Sequence, residues 1–153
     1  MNADDTIAAI STPPGRGGIG IVRISGPASI HIASKIFHTE SGEPFQAPNR
    51  AYAGRVASPA GYYLDQCIAT YFKAPHSYTG EDVIELCCHG SPVVLRQVLD
   101  LVQNNGARTA EPGEFTLRAF LHRRIDLAQA QAVRDLIDSQ TAFQARVAMR
   151  QLE

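Results

Sequence analysis

No stretch of about 18 apolar residues occurs in this 153-residue sequence, which excludes a transmembrane helix. Neither sign of charge is in excess, the formal net charge being -1. A domain that gripped nucleic acid mainly by neutralising phosphates would be clearly basic. The one concentration of basic groups, Arg118, His122, Arg123 and Arg124, reads by composition as a solvated helix face. The pattern G-x-x-x-x-G-K-[ST] is missing, so this stretch is not expected to hydrolyse GTP or ATP. Metal-ligand spacing is missing as well: Cys67, Cys87 and Cys88 make no pair of pairs, and His76, His89 and His122 have no partner at H-x-x-x-H spacing. Nothing marks a nucleophile elbow or a Ser-His-Asp set. The opening Met1-Asn2-Ala3-Asp4-Asp5 lacks the apolar core of a secretory signal. The expected location is cytoplasmic, with no membrane partner.

What is present is enough for a core: 44% hydrophobic residues against 19% charged. Gly18 to Ser25 is rich in β-branched residues and reads as a strand. Ala28 to Phe37 carries apolar residues at helical spacing. Ala51 to Ala57 and Tyr62 to Phe72 flank Ser58-Pro59-Ala60-Gly61 and read as a hairpin. Asp82 to Cys88 reads as a further strand, in which alternation turns Cys87 and Cys88 to opposite faces; all three thiols read as buried and structural, in a reducing compartment. Ser91-Pro92 supplies an N-cap and a first-turn proline for a helix that Gly106 stops. Ala107 to Ala110 is a candidate short strand. Beyond Pro112-Gly113 the pattern is helical, with capping-box spacing from Asp126 to Gln129 and an apolar stripe at Ala130, Val133, Leu136 and Ile137. The fold class expected is α+β, a mixed sheet with flanking helices, followed by the start of an all-helical region. The helical pattern still running at Glu153 gives the expectation of a fragment.

Gly15-Arg16-Gly17-Gly18-Ile19-Gly20 matches G-x-G-x-x-G, but the dinucleotide reading needs a helix next, and Ile21-Val22-Arg23-Ile24-Ser25 is strand-like. Two charges carry more. Arg23 lies among Ile21, Val22 and Ile24, and Glu85 lies among Val83, Ile84 and Leu86. A lone charge in an apolar strand needs a partner or a polar ligand. A salt bridge between the two, or exposure on an edge strand, is one reading. A pocket for a flat polar ligand is the other, because a carboxylate can accept two parallel bonds from a guanidine-like ring edge and an arginine can fork onto a carboxylate.

Three ordered motifs, Asp5 to Gly26 (DTIAAISTPPGRGGIGIVRISG), Ser77 to Gly90 (SYTGEDVIELCCHG) and Pro112 to Asp138 (PGEFTLRAF, then IDLAQAQAVRDLID), resemble the N-terminal region of the MnmE family, also called TrmE. The resemblance implies a tRNA-modification GTPase that adds an aminomethyl-type group at carbon 5 of the wobble uridine, with the flavoprotein MnmG (GidA) as partner and tRNA as substrate. It implies an N-terminal domain, residues 1–120 here, that binds a tetrahydrofolate derivative (5-formyl- or 5,10-methylene-tetrahydrofolate) and forms a homodimer. That domain is similar to the aminomethyltransferase fold. Residues 121–153 would begin a helical domain, and GTP, magnesium and potassium would belong to a G domain outside this sequence.

Carried over by position, the folate-binding residues implied are Arg23, Glu85 and Arg124, with no catalytic residue and no metal. Arg124 stands where the family has lysine, and Cys87-Cys88-His89-Gly90-Ser91 departs from a more usual H-G-G. The fragment is not expected to be an active enzyme alone. A free-standing aminomethyltransferase-like enzyme and a ligand-free dimerisation module are the competing expectations.

Overall fold

The computed structural model describes residues 4–153; Met1-Asn2-Ala3, part of the reading of a non-secretory start, lie outside them. Among the described residues there are seven strands: β1 (Ile7–Ile10), β2 (Gly17–Ser25), β3 (Phe37–His38), β4 (Arg50–Ala57), β5 (Tyr63–Phe72), β6 (Val83–Gly90) and β7 (Arg108–Thr109). They form one sheet in the order β3-β4-β5-β6-β2-β1-β7. Every pairing is antiparallel except β1 with β7, so the sheet is mixed. The helices of the described residues are α1 (Ser29–Ile36), α2 (Pro92–Asn104), α3 (Glu114–Leu121), α4 (Leu127–Asp138) and α5 (Ala142–Leu152). The α+β class expected from the sequence is the class observed.

Strand alternation sorts the sheet into two faces. Val22 and Ile24 of β2, Ala69 of β5, and Ile84 and Leu86 of β6 point to one face. There they pack against Ile32 and Ile36 of α1 and Leu95, Val98 and Val102 of α2. Ser91 caps α2 by accepting from the Val94 N–H, and Pro92 occupies the first turn. Both glycines that bound this layer are there for lack of a side chain. A Cβ on Gly20 would collide with a Leu95 methyl, and one on Gly90 would collide with the Gly17 carbonyl oxygen. The glycine-rich segment therefore serves close packing of α2 and β6, and it runs on into β2 rather than into a helix.

On the opposite face lie Ile21, Arg23, Ser25, Glu85 and Cys87. Helix α3 and the loop Lys73 to Asp82 cover the Ser25 end of it, through the contacts described below. The rest is open: Ile68 of β5 is 51% exposed. Cys67 and Cys88 are buried, as read from the sequence, whereas Cys87 on the other face is only half-buried.

The capping box at Asp126 is formed in full, and Thr141 with Gln144 makes a second one at α5. The apolar stripe of α4 is half-covered at Ala130, Val133 and Leu136, but Ile137 is 77% exposed. No helix among the described residues is long and apolar enough to cross a membrane.

Candidate functional site

Arg23 and Glu85 are directly paired residues of β2 and β6. Both Arg23 Nε and Nη2 donate to one oxygen, Glu85 Oε1, at 3.2 and 3.1 Å. Among the described residues neither Arg23 Nη1 nor Glu85 Oε2 has a hydrogen-bond partner. Each side chain keeps about a quarter of its surface exposed, 23% in both cases. The pair is thus joined but not saturated: a fork of donors has been closed onto a single acceptor atom. Two aromatic rings flank the guanidinium. Tyr78, from the loop Lys73 to Asp82, and Phe115, from α3, each have their ring centre 5.3 Å from Arg23 Cζ. That separation is within range for attraction between a cation and a ring face. Tyr78 is tied back to α3 by a 2.8 Å hydrogen bond between its hydroxyl and that of Thr116.

Arg23, Tyr78, Phe115 and Thr116, with Ile10 and Val133, line a cleft of about 670 Å³. Volumes of about 300–1,000 Å³ are usual for small-molecule sites. Arg124 does not line it. Its Nε donates to the Ser77 carbonyl at 3.1 Å, and its stem packs on Gly80. It borders a separate depression with Phe120, Ile125 and Gln129. So the structure brings Arg23 and Glu85 together, while Arg124 touches the back of the loop whose next residue, Tyr78, covers Arg23.

That loop and α3 are held by ionic groups that the sequence reading did not single out. Arg118 is 1% exposed, so its assignment to a solvated helix face is corrected. It cannot be solvated because its guanidinium is enclosed by oxygen atoms. Nη1 donates to Glu81 Oε1 at 2.9 Å and to the Asp5 carbonyl at 2.7 Å, and Nη2 donates to the Asp5 carboxylate and to Glu114. Glu81 in turn accepts from Ser25 Oγ at 2.6 Å, and Ser25 Oγ lies 2.7 Å from Thr79 Oγ1. Arg108 of β7 closes the cluster with bonds to Asp5 at 2.7 Å and Glu114 at 2.6 Å. Hydrogen bonds from Arg108 hold the Asp5 carboxyl down at about 2, and they lower that of Glu114 as well. Of the two glutamates in Gly80-Glu81-Asp82-Val83-Ile84-Glu85, the first is committed to this buried cluster and the second faces the aromatic-flanked arginine. The Glu114–Arg118 spacing of four residues was the available sequence signal for the cluster; Tyr78 and Phe115 carried none.

His89 pairs with Asp65, its Nδ1 lying 2.7 Å from Oδ1, and His122 Nδ1 lies 2.9 Å from the Thr79 carbonyl. Among the described residues no group of three His, Cys, Asp or Glu side chains is placed to hold a metal ion.

A profile of the family described as "GTP-binding protein TrmE N-terminus" matches residues 6–124. Proteins described as "tRNA modification GTPase MnmE" are similar along the chain. That of Koribacter versatilis (strain Ellin345) is 53% identical over 153 residues, covering 99% of this chain and 34% of the relative. The one from Caldicellulosiruptor saccharolyticus is 52% identical, covering 97% of this chain and 33% of the relative. The one from Nitrosomonas europaea is also 52% identical, covering 99% and 33%. The chain thus spans about a third of the length of these relatives.

Proposed function

Because the chain belongs to the MnmE (TrmE) family, whose N-terminal domain it contains, we propose that it binds a one-carbon tetrahydrofolate at the Arg23–Glu85 pair on behalf of a tRNA-modifying GTPase. The observation that carries this reading is the unsaturated pair itself. Arg23 Nη1 and Glu85 Oε2 are left without protein partners among the described residues, and Arg23, which holds Glu85, lines a cleft with aromatic walls that Glu85 itself does not line. A pterin ring offers what these groups lack. Its guanidine-like edge can donate to Glu85, its carbonyl can accept from Arg23, and its faces suit Tyr78 and Phe115. Arg124, with its Nη groups free of protein partners among the described residues, is the candidate for the glutamyl carboxylate at the other end of the ligand.

The wider activity follows the family. Residues 1–120 would form the folate-binding and homodimerising domain, and 121–153 the start of a helical domain whose exposed Leu127, Ile137 and Phe143 await cover. GTP hydrolysis and transfer of the aminomethyl-type group to the wobble uridine of tRNA would require the G domain and the flavoprotein MnmG (GidA), in the cytoplasm.

Isothermal titration with 5-formyl-tetrahydrofolate tests the site. Wild-type protein binds, and Glu85→Ala weakens binding about ten- to a hundred-fold, the worth of hydrogen bonds to a charged group. An unchanged affinity in Glu85→Ala would reduce the pair to a structural salt bridge. No binding of wild type at millimolar ligand would remove the folate assignment.

A further inference from the structure

We propose that Cys67 and Cys88 are a cross-strand dithiol that closes to a reversible disulfide between β5 and β6. The ladder between these strands pairs Ala69 with Leu86 and Ile68 with Cys87. One step further along the same register, Cys67 stands opposite Cys88. Directly opposed residues of an antiparallel pair have Cα atoms about 4.5 or 5.5 Å apart. Both values fall inside the roughly 4.4–6.8 Å that a disulfide spans. Cys67 and Cys88 also share a face: each lies in the core beneath the helices, at 5% and 3% exposure. The Cys88 thiol is the strongest influence on that of Cys67, and Cys88 Sγ itself donates to the Leu86 carbonyl at 3.7 Å.

The third cysteine cannot substitute. Cys87 points to the opposite face, and its Cα is only about 3.8 Å from that of Cys88, below the span a disulfide needs in extended backbone.

The oxidant required is a small disulfide such as oxidised glutathione. One protein thiolate attacks it, forming a mixed disulfide and releasing one thiolate. The second protein thiolate then displaces the other, forming the Cys67–Cys88 bond. Two electrons pass to the oxidant, and the two protons given up by the cysteines leave on the two released thiols. Interaction with the Cys88 side chain, and then burial, push the Cys67 thiol up. Thiolate is therefore scarce at neutral pH, and closure waits on opening of the β5–β6 strands. Once formed, the bond clips together the two strands that carry Thr70 and Glu85, which face each other across the same ladder. It would hold Glu85 in register whether or not a folate occupies the cleft.

The test is to expose the protein to oxidised glutathione at mildly alkaline pH, then alkylate and map peptides by mass spectrometry. Free thiols should fall from three to one in wild type and from two to none in Cys87→Ser. A peptide joining Cys67 to Cys88 should appear within single chains, and the thermal midpoint should rise until reductant is added. Cys67→Ser should form no intrachain bond. The proposal is overturned if only Cys87 is modified after prolonged exposure, or if the bonds found join different chains. Folate titration is not used in this readout, so its failure would leave the dithiol standing, and the reverse.

Discussion

Arg23 and Arg118 lie on the same side of one sheet, each flanked by carboxylates, and differ in how far their hydrogen bonds are spent. Arg118 gives bonds to a carbonyl and three carboxylates and is itself buried, with Glu81 and Glu114. Arg23 gives two bonds to one oxygen and leaves a quarter of its side chain open. A saturated buried cluster can only hold structure, since any ligand would have to displace a partner and strand a charge. An unsaturated, half-open pair is available. The contrast also assigns labour: the cluster fixes loop Lys73 to Asp82 and α3, and these carry Tyr78 and Phe115 to Arg23.

Removing the cluster's centre should produce the largest effect. Arg118→Met leaves Glu81 buried without its cation and Glu114 with Arg108 alone, at a cost of about 3–5 kcal/mol. Urea unfolding of wild type and variant measures it. A change below about 1 kcal/mol would mean that water reaches the cluster and that its contrast with Arg23 is false.

Much of this arrangement was legible before the structure. The apolar alternation of Gly18 to Ser25 and Asp82 to Cys88, the hairpin at Ser58-Pro59-Ala60-Gly61, and the caps at Ser91 and Asp126 are local signals, and each matches an observed element. Arg23 and Glu85 stood out because a charge among branched aliphatics breaks a local rule. Arg118 did not stand out, because its partners come from 113, 37 and 4 residues away and because the basic His122, Arg123 and Arg124 follow it closely in sequence. Composition nearby then favoured a solvated face. Tyr78 and Phe115 were hidden for a related reason: an aromatic residue in a loop or a first helical turn acquires a role only when the fold sets it against a cation.

Acid should separate the two regions at intermediate size. Asp5 has its carboxyl held at about 2, chiefly by Arg108, against an ordinary value of 3.8. A lowered folded-state value stabilises above the unfolded value, and that stability is lost as pH falls from about 4 towards 2. Glu114, also lowered, acts in the same direction. Asp5→Asn should start about 1–2 kcal/mol less stable near neutrality and show a flatter acid limb when urea midpoints are followed down to pH 2.5. An acid limb identical to wild type would show that Asp5 does not carry this dependence.

The smallest expected change in stability is at the pair itself, and that smallness is the sharpest test of the contrast. Glu85→Gln keeps the shape and one acceptor oxygen for Arg23, and half-open ion pairs contribute about 0–1 kcal/mol. Unfolding should therefore shift by less than about 1 kcal/mol. Folate affinity should nevertheless fall, because an amide cannot offer two acceptors to the edge of a pterin. A stability loss as large as that of Arg118→Met would place Glu85 with the structural carboxylates. Retained stability with weakened binding is the combination that only an available pair produces, since there the energy of the charge is spent on the ligand and not on the fold.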